Sequence, residues 1–405
     1  MPDDKRLIHS IRLQNLLSFG PSSEEIRLEA LNVIIGPNAT GKSNLIEIIG
    51  LLQSLPQDLT LPVRDGGGIG EWLWKGSSRP PIAEIDVTID YPEGAMPLRH
   101  KLSITTAGQR LELVDEAVEN IRPEAHHEDV RFFYRYQQGK PTINVCLFPP
   151  EGPEAILPPL SRKLRRNDNL KHNQSVLSQL QGPEYPEISY LKSKYEAIRL
   201  YREWNLGRYT PLRQPQPADL PADFLMDDCR NLGMVLNDLE HKHGFPNYFL
   251  EKLQLFNNDF THASTRVLGG TVQVYLHEKN LEAIPATRLS DGTLRYLCLL
   301  CILGHPTPPP LICLEEPEIG LHPDILPAVA ELLIEASQRT QLIVTTHSDV
   351  LVDALTEIPE AVVVCEKENG QTAMKRLSED DLATWLQKYT LGQLWRKGEL
   401  GGNRW

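Results

Sequence analysis

The chain has 405 residues, with 41 Lys+Arg against 54 Asp+Glu and a formal net charge of −13. That length fits two or three domains, or one large domain with an insertion, and 40% hydrophobic with 23% charged residues excludes a disordered chain. The 27 Gly and 32 Pro follow no period, which excludes a collagen-like protein, and the acidic balance excludes one that coats nucleic acid over its whole surface.

The N-terminus, MPDDKRLIHSIRL, lacks the apolar run of a signal peptide, and no stretch reaches the ~20 apolar residues of a membrane helix. A cytoplasmic chain without membrane partner is expected, its six cysteines reduced. Leu7–Leu13 alternates apolar and polar residues, as a half-buried strand does. Leu31–Ile35 is a continuous apolar run that stops at Gly36, the pattern of a buried parallel strand. Asn44–Leu55 has helical spacing and ends before Pro56. Residues 83–89, 100–105, 131–137 and 142–148 read as strands of an antiparallel sheet.

The pattern changes near Pro149. From there to about Phe260 it is polar, helical and broken by proline clusters, so three stretches are expected: 1–150, 151–262 as a mostly helical insertion, and 263–405. Val272–Leu276 returns to strand. A helix from Asp291, a strand at Leu311–Leu314, a helix from Asp324, a strand at Gln341–Thr345, a short helix and a strand at Ala361–Cys365 follow. That alternation implies a parallel sheet covered by helices. Cys298 and Cys301 lie in the apolar run LCLLCIL and read as a helix face packed into the core.

Gly36-Pro37-Asn38-Ala39-Thr40-Gly41-Lys42-Ser43 fits G-x-x-x-x-G-K-S at every fixed position, with Asn44 continuing into the helix. Glycines let backbone amides turn toward phosphate, and the following helix adds its positive end. Lys42 is expected to reach the β- and γ-phosphates of ATP and Ser43 to ligate Mg²⁺. The strand LICLEE ends in two acids: Glu315 is assigned to the Mg²⁺ shell, through water, and Glu316 to polarising the attacking water. His347, in TTHS after the strand QLIVT, is placed to hydrogen-bond the γ-phosphate. Ser290, Asp291 and Gly292 start the helix LRYLCLLCIL, where the serine or aspartate caps the first turn. That capped end is also suited to clamp a γ-phosphate held by another subunit.

Those four elements, in this order, resemble the ABC-type ATPase heads of the RecF, SMC and OLD group, and look most like predicted ATPases of phage-defence and DNA-maintenance operons. The matching motifs cover residues 7–55 and 285–366. The resemblance implies an α/β P-loop NTPase head of mixed antiparallel and parallel sheet that dimerises head to tail. Each ATP would lie between Lys42 and Ser43 of one copy and Ser290 and Gly292 of the other. Two departures stand out: Glu315 replaces the usual Asp, and Asp291 brings a negative charge near the γ-phosphate. No coupling glutamine is identified; Gln53 lies too near the glycine loop.

Two other functions fit the motifs less well. A transporter motor places its serine–glycine helix start far closer to the glycine loop than the 247 residues between Ser43 and Ser290. A stand-alone kinase or GTPase has no use for the Ser290 motif. OLD enzymes continue into a nuclease domain, whereas only about 40 residues follow Cys365, so a separately encoded effector such as a nuclease is expected. The basic run Ser161–Lys171 is the candidate DNA contact. His241, His243, His126 and His127 read as solvated surface. The tail Leu391–Trp405 suits docking on a partner or packing on its own head.

Overall fold

The computed structural model describes residues 6–77, 79–125, 128–137, 140–147, 161–166, 170–171 and 173–402. At its centre is a six-stranded sheet in the order Arg199–Tyr201, Leu311–Glu315, Gln341–Thr345, Leu31–Ile35, Val362–Glu368 and Gln371–Arg376. The first five strands are parallel and the last is antiparallel. Successive side chains point to opposite faces. Val33, Leu314, Val344 and Val364 accordingly join one core, while Ile34, Cys313, Ile343 and Val363 join the other. Both faces are covered, which is why these strands read as unbroken apolar runs.

On the first face lie the helices Asp291–Leu303 and Leu326–Ser337. The former is buried at every position from Thr293 to Leu303, Cys298 and Cys301 included, as a helix packed on all sides must be. The second face holds the helix Lys42–Ser54 and, beyond it, an eight-stranded antiparallel sheet. Its order is Ile26–Arg27, Ile8–Gln14, Ala83–Ile89, Leu98–Ala107, Arg110–Asn120, Phe132–Gln137, Lys140–Leu147 and Ser161–Arg166. The buried Gln341 amide ties the two sheets together, accepting from Ile8 N (2.9 Å) and donating to the Ile8 carbonyl (2.8 Å).

The described residues within 151–262, the stretch expected as a mostly helical insertion, contribute elements to both layers. Ser161–Arg166 closes the antiparallel sheet against Lys140–Leu147, and Arg199–Tyr201 takes the edge of the central sheet beside Leu311–Glu315. The helix Pro186–Glu196 buries Ile188, Leu191 and Tyr195 in the second core, whereas Leu232–Leu239 and Phe245–Phe256 face the first. Short amphipathic pieces cannot bury an apolar face alone, so each docks on a sheet already present. A small sheet built on the hairpin Phe260–Leu268 and Thr271–Glu278 completes this region.

The tail packs on its own head. Thr390 forms a capping box with Gln393, and the helix Leu391–Lys397 buries Leu391, Leu394 and Trp395. Among the described residues no helix is long and apolar enough to cross a membrane.

Candidate functional site

The strand Leu31–Ile35 runs into Gly36, at φ 145°, where a Cβ would collide with the Cys365 carbonyl. Gly41, at φ 112°, leaves no room either: a Cβ there would lie 2.5 Å from Ser18 Oγ. The loop therefore needs glycine at both ends. Thr40 Oγ1 donates to the Pro37 carbonyl (2.9 Å) and braces the turn. Lys42 opens the helix, 5% exposed, and its ammonium donates to the carbonyls of Gly36 (2.8 Å) and Pro37 (2.9 Å). Burial pushes the Lys42 pKa down, against the opposing fields of Cys365 and of Glu316, Glu315 and Glu318.

Because the neighbouring strands are parallel, their C-terminal ends gather beside this loop, where open α/β sheets bind ligands. The Ser43 hydroxyl donates to Glu315 Oε1, and Arg202 Nε lies 3.1 Å from Glu315 Oε2. Trp204 Nε1 donates to the Glu315 carbonyl at 2.8 Å. Glu316 follows at φ 47°, a left-handed conformation that costs a non-glycine residue energy and that clusters at functional sites. Its amide donates to the Thr345 carbonyl (3.0 Å), and its carboxylate lies 3.4 Å from His347 Nε2. Glu318 holds the histidine loop, its Oε1 accepting from Thr346 Oγ1 (2.7 Å) and His347 N (2.8 Å).

Lys42, Ser43, Asn44, Ala39, Glu316 and His347 line one cavity of about 700 Å³. A hydroxyl and a carboxylate are the hard oxygen donors that suit Mg²⁺, and a helix N-terminus with a buried ammonium suits a polyphosphate. The residues present fit both groups.

Ser290, Asp291 and Gly292 stand apart from that cavity, at the start of the helix Asp291–Leu303. Ser290 Oγ accepts from Thr293 N at 3.0 Å, the cap expected there. A Cβ on Gly292 would lie 2.6 Å from the Gly320 carbonyl, so this helix start abuts the loop that follows Glu316. The charge on Asp291 is balanced by Arg213, a buried guanidinium that also donates to the carbonyls of Leu206 and Ala286.

Arg202, Trp204, Arg213 and Arg295 escaped sequence reasoning. Arg295 carried a signal, as the lone charge in the apolar run Leu294–Leu303; it donates to the Glu316 carbonyl (3.2 Å) and lies 4.7 Å over the Trp204 ring. Gln53 has a local duty, donating to the Ile198 carbonyl at 2.7 Å. Of the basic run, Lys163 is exposed on the edge strand, while the side chains of Arg162, Arg165 and Arg166 lie outside the described residues, as do His126 and His127. His241 and His243 are exposed.

The family model "AAA domain, putative AbiEii toxin, Type IV TA system" matches residues 31–353, from the strand that feeds the glycine loop to the helix after His347. The chain belongs to this AAA-domain family. Two curated relatives match shorter segments. The Old nuclease of Escherichia phage P2 is 39% identical over 70 residues, 17% of this chain and 12% of that protein. The chromosome partition protein Smc of Mycolicibacterium paratuberculosis is 33% identical over 103 residues, 24% of this chain and 8% of that protein. The chain thus matches only a small part of either relative. Solved structures share the fold more widely. An Smc head bound to the C-winged helix domain of ScpA superposes with a TM-score of 0.56 at 15% identity, covering 93% of this chain and 99% of that one. The Pyrococcus furiosus Smc head with an extended coiled coil, bound to the C-terminal domain of ScpA, gives 0.53 at 14% identity, covering 94% and 99%. This member of the AAA-domain family therefore has the P-loop fold of an SMC-type ATPase head.

Proposed function

We propose that the chain is an ATP-hydrolysing switch that closes as a head-to-tail dimer around two nucleotides and controls a separate effector or DNA. The observation that carries the reading is the meeting of Ser43 with Glu315, and of Glu316 with His347 at 3.4 Å, beside the glycine loop. In this reading the amides of residues 36–43 and the Lys42 ammonium hold the triphosphate. Ser43 and Glu315 hold Mg²⁺, which supplies charge neutralisation at the phosphates. Glu316 takes the proton of the attacking water, and His347, beside that carboxylate, contacts the γ-phosphate. Ser290 and Gly292 of a second copy complete the site through the capped helix end. The Arg213 ion pair lets Asp291 sit there by offsetting its charge.

Likeness to the phage Old nuclease and to Smc supports a role in phage defence or DNA maintenance, with a separately encoded nuclease as the effector. Purified chain that cleaves DNA without a partner would overturn that division of labour. Lys163 and its basic neighbours are the proposed DNA contact: replacing Arg162, Lys163, Arg165 and Arg166 by alanine should flatten the salt dependence of binding and leave ATP affinity intact.

Light scattering with and without Mg-ATP tests the switch. Glu316→Gln retains nucleotide binding, so the dimer accumulates by mass action. Ser290→Arg puts bulk where the partner's γ-phosphate belongs, so ATP binds but no dimer closes. A Ser290→Arg chain that dimerises as the wild type does would sink the sandwich.

A further inference from the structure

The cavity beside the glycine loop has a second wall. Besides the loop, Glu316 and His347, it is lined by charged residues, Glu71, Lys75 and Lys367, and by Leu17, Ser18 and Trp74, which no phosphate or metal role requires. This wall is built into register with the loop. Asn44, in the first turn of the loop's helix, donates to Ser18 Oγ at 2.7 Å, and the Thr372 hydroxyl, which donates to the Thr40 carbonyl (2.5 Å), lies 2.6 Å from the same Ser18 oxygen. Asn15 and Leu17 hold left-handed backbone, at φ 56° and 51°, and that tight turn hydrogen-bonds the tryptophan segment on both sides. Leu17 N donates to the Trp72 carbonyl (2.6 Å), and Trp74 N donates to the Asn15 carbonyl (3.0 Å).

Trp74 is half-buried and faces the cavity with part of its indole. Gly76, which lines the same cavity, approaches the edge of the indole: a Cβ there would lie 2.6 Å from Trp74 Cε2 and 2.7 Å from Cζ2. Backbone without a side chain therefore packs against that edge of the ring. Lys75 also lines the cavity, its ammonium held by the Gly70 carbonyl (2.7 Å) and Glu71 (3.1 Å). A half-buried indole lining a phosphate-suited cavity brings an aromatic surface to it, and every nucleobase has a π-face to stack on one.

We propose that Trp74 is the stacking platform for the base of the bound nucleotide, so that the site prefers a nucleoside triphosphate to a bare triphosphate. The proposal rests on reading the glycine loop as a triphosphate site. It assigns the phosphates to residues 36–43 and the base to the wall that Ser18 and Asn44 fasten to that loop. Stacking tolerates any base, so ATP and GTP should differ little on this account.

Isothermal titration of the full chain with Mg-ATP and with Mg-tripolyphosphate separates the two levels. Wild type should bind ATP more tightly. Trp74→Leu, which keeps apolar bulk and removes the π-face, should weaken ATP binding by roughly 5- to 100-fold and leave tripolyphosphate unchanged. Trp74→Phe should recover most of the loss. ATP should also quench the fluorescence that Trp74→Phe removes, and tripolyphosphate should not. Equal loss for both ligands in Trp74→Leu would mean a structural role and overturns the platform, as does unchanged ATP affinity. Wild-type chain that binds tripolyphosphate as well as ATP keeps the triphosphate site and eliminates the platform. Binding of neither ligand removes both.

Discussion

Two carboxylate–imidazole pairs in this molecule have almost the same separation and different surroundings. Glu316 and His347 lie 3.4 Å apart, with side chains 32% and 37% exposed, and both line the cavity beside the glycine loop. Glu116 and His100 lie 3.5 Å apart inside the antiparallel lobe, both 0% exposed. The sealed pair is saturated: Glu116 Oε1 accepts from Ser175 Oγ (2.5 Å), its Oε2 from Val176 N (2.8 Å), and His100 Nδ1 meets the Tyr195 hydroxyl at 3.0 Å. The open pair rests on left-handed backbone at Glu316 and faces an open cavity. Residue type and spacing are therefore insufficient to mark chemistry; access decides it. A buried network with every member satisfied fixes a fold instead, here by fastening the strand Arg110–Asn120 to the cap of the helix Val176–Gln179.

The largest expected effects exchange the two roles. Glu316→Gln keeps size but cannot accept the proton, so ATP turnover should drop ~10²–10⁴-fold with the unfolding midpoint unchanged. Glu116→Ala should do the reverse. It strands buried donors, and breaking a buried charge-assisted network costs about 3–5 kcal/mol, read from denaturant midpoints, while turnover per folded molecule stays at the wild-type level. A Glu116→Ala protein as stable as wild type would mean the sealed network contributes nothing to the fold, and the contrast would collapse.

The same contrast explains what the amino-acid sequence disclosed. LNVII, LICLE and QLIVT announce themselves because a parallel strand covered on both faces has no polar side to confuse the pattern. The glycine loop, Glu315, Glu316 and His347 were legible because each ends such a strand. Arg110–Asn120 was not recognised: RLELVDEAVEN carries four acids, and two of them, Glu116 and Glu119, are buried against partners far away in sequence. Arg199–Tyr201 is three residues long, too short for any periodicity, yet it brings Arg202 and Trp204 to Glu315. Arg213 was hidden likewise, since nothing near it hints that Asp291 is its partner. Long-range polar satisfaction leaves no local pattern to read.

Capping serines sharpen the comparison at intermediate size. Ser175 caps its helix through Leu177 N and also donates to Glu116, whereas Ser290 caps through Thr293 N. Ser175→Ala should lose both the cap and a bond to a buried carboxylate, about 2–3 kcal/mol in all. Ser290→Ala should lose about 1 kcal/mol, the worth of a cap. Only the second should weaken ATP-dependent dimerisation. Equal stability losses in the two variants would show that the Ser175–Glu116 bond adds nothing beyond capping.

The smallest effect is a pH slope, and it comes from the cation of the open site. Burial lowers the Lys42 pKa below its ordinary 10.5. Between that lowered value and 10.5 the unfolded chain binds a proton that the folded chain has released. The stability slope, proportional to protons bound unfolded minus folded, is positive there. Without nucleotide, then, Lys42 makes the fold more stable as pH rises through that window and costs stability below it. Lys42→Met removes the group, so wild type minus variant isolates its slope from the tyrosines and lysines that titrate nearby. A bound polyphosphate favours the charged ammonium and should raise the Lys42 pKa back, which abolishes the slope. Denaturant midpoints at pH 8, 9 and 10, with and without Mg-ATP, provide the measurement. Parallel curves for wild type and Lys42→Met in the absence of nucleotide would show that Lys42 is charged and well solvated after all. The loop would then not hold a desolvated cation ready for phosphate, and the distinction between the open site and the sealed network would lose its electrostatic half.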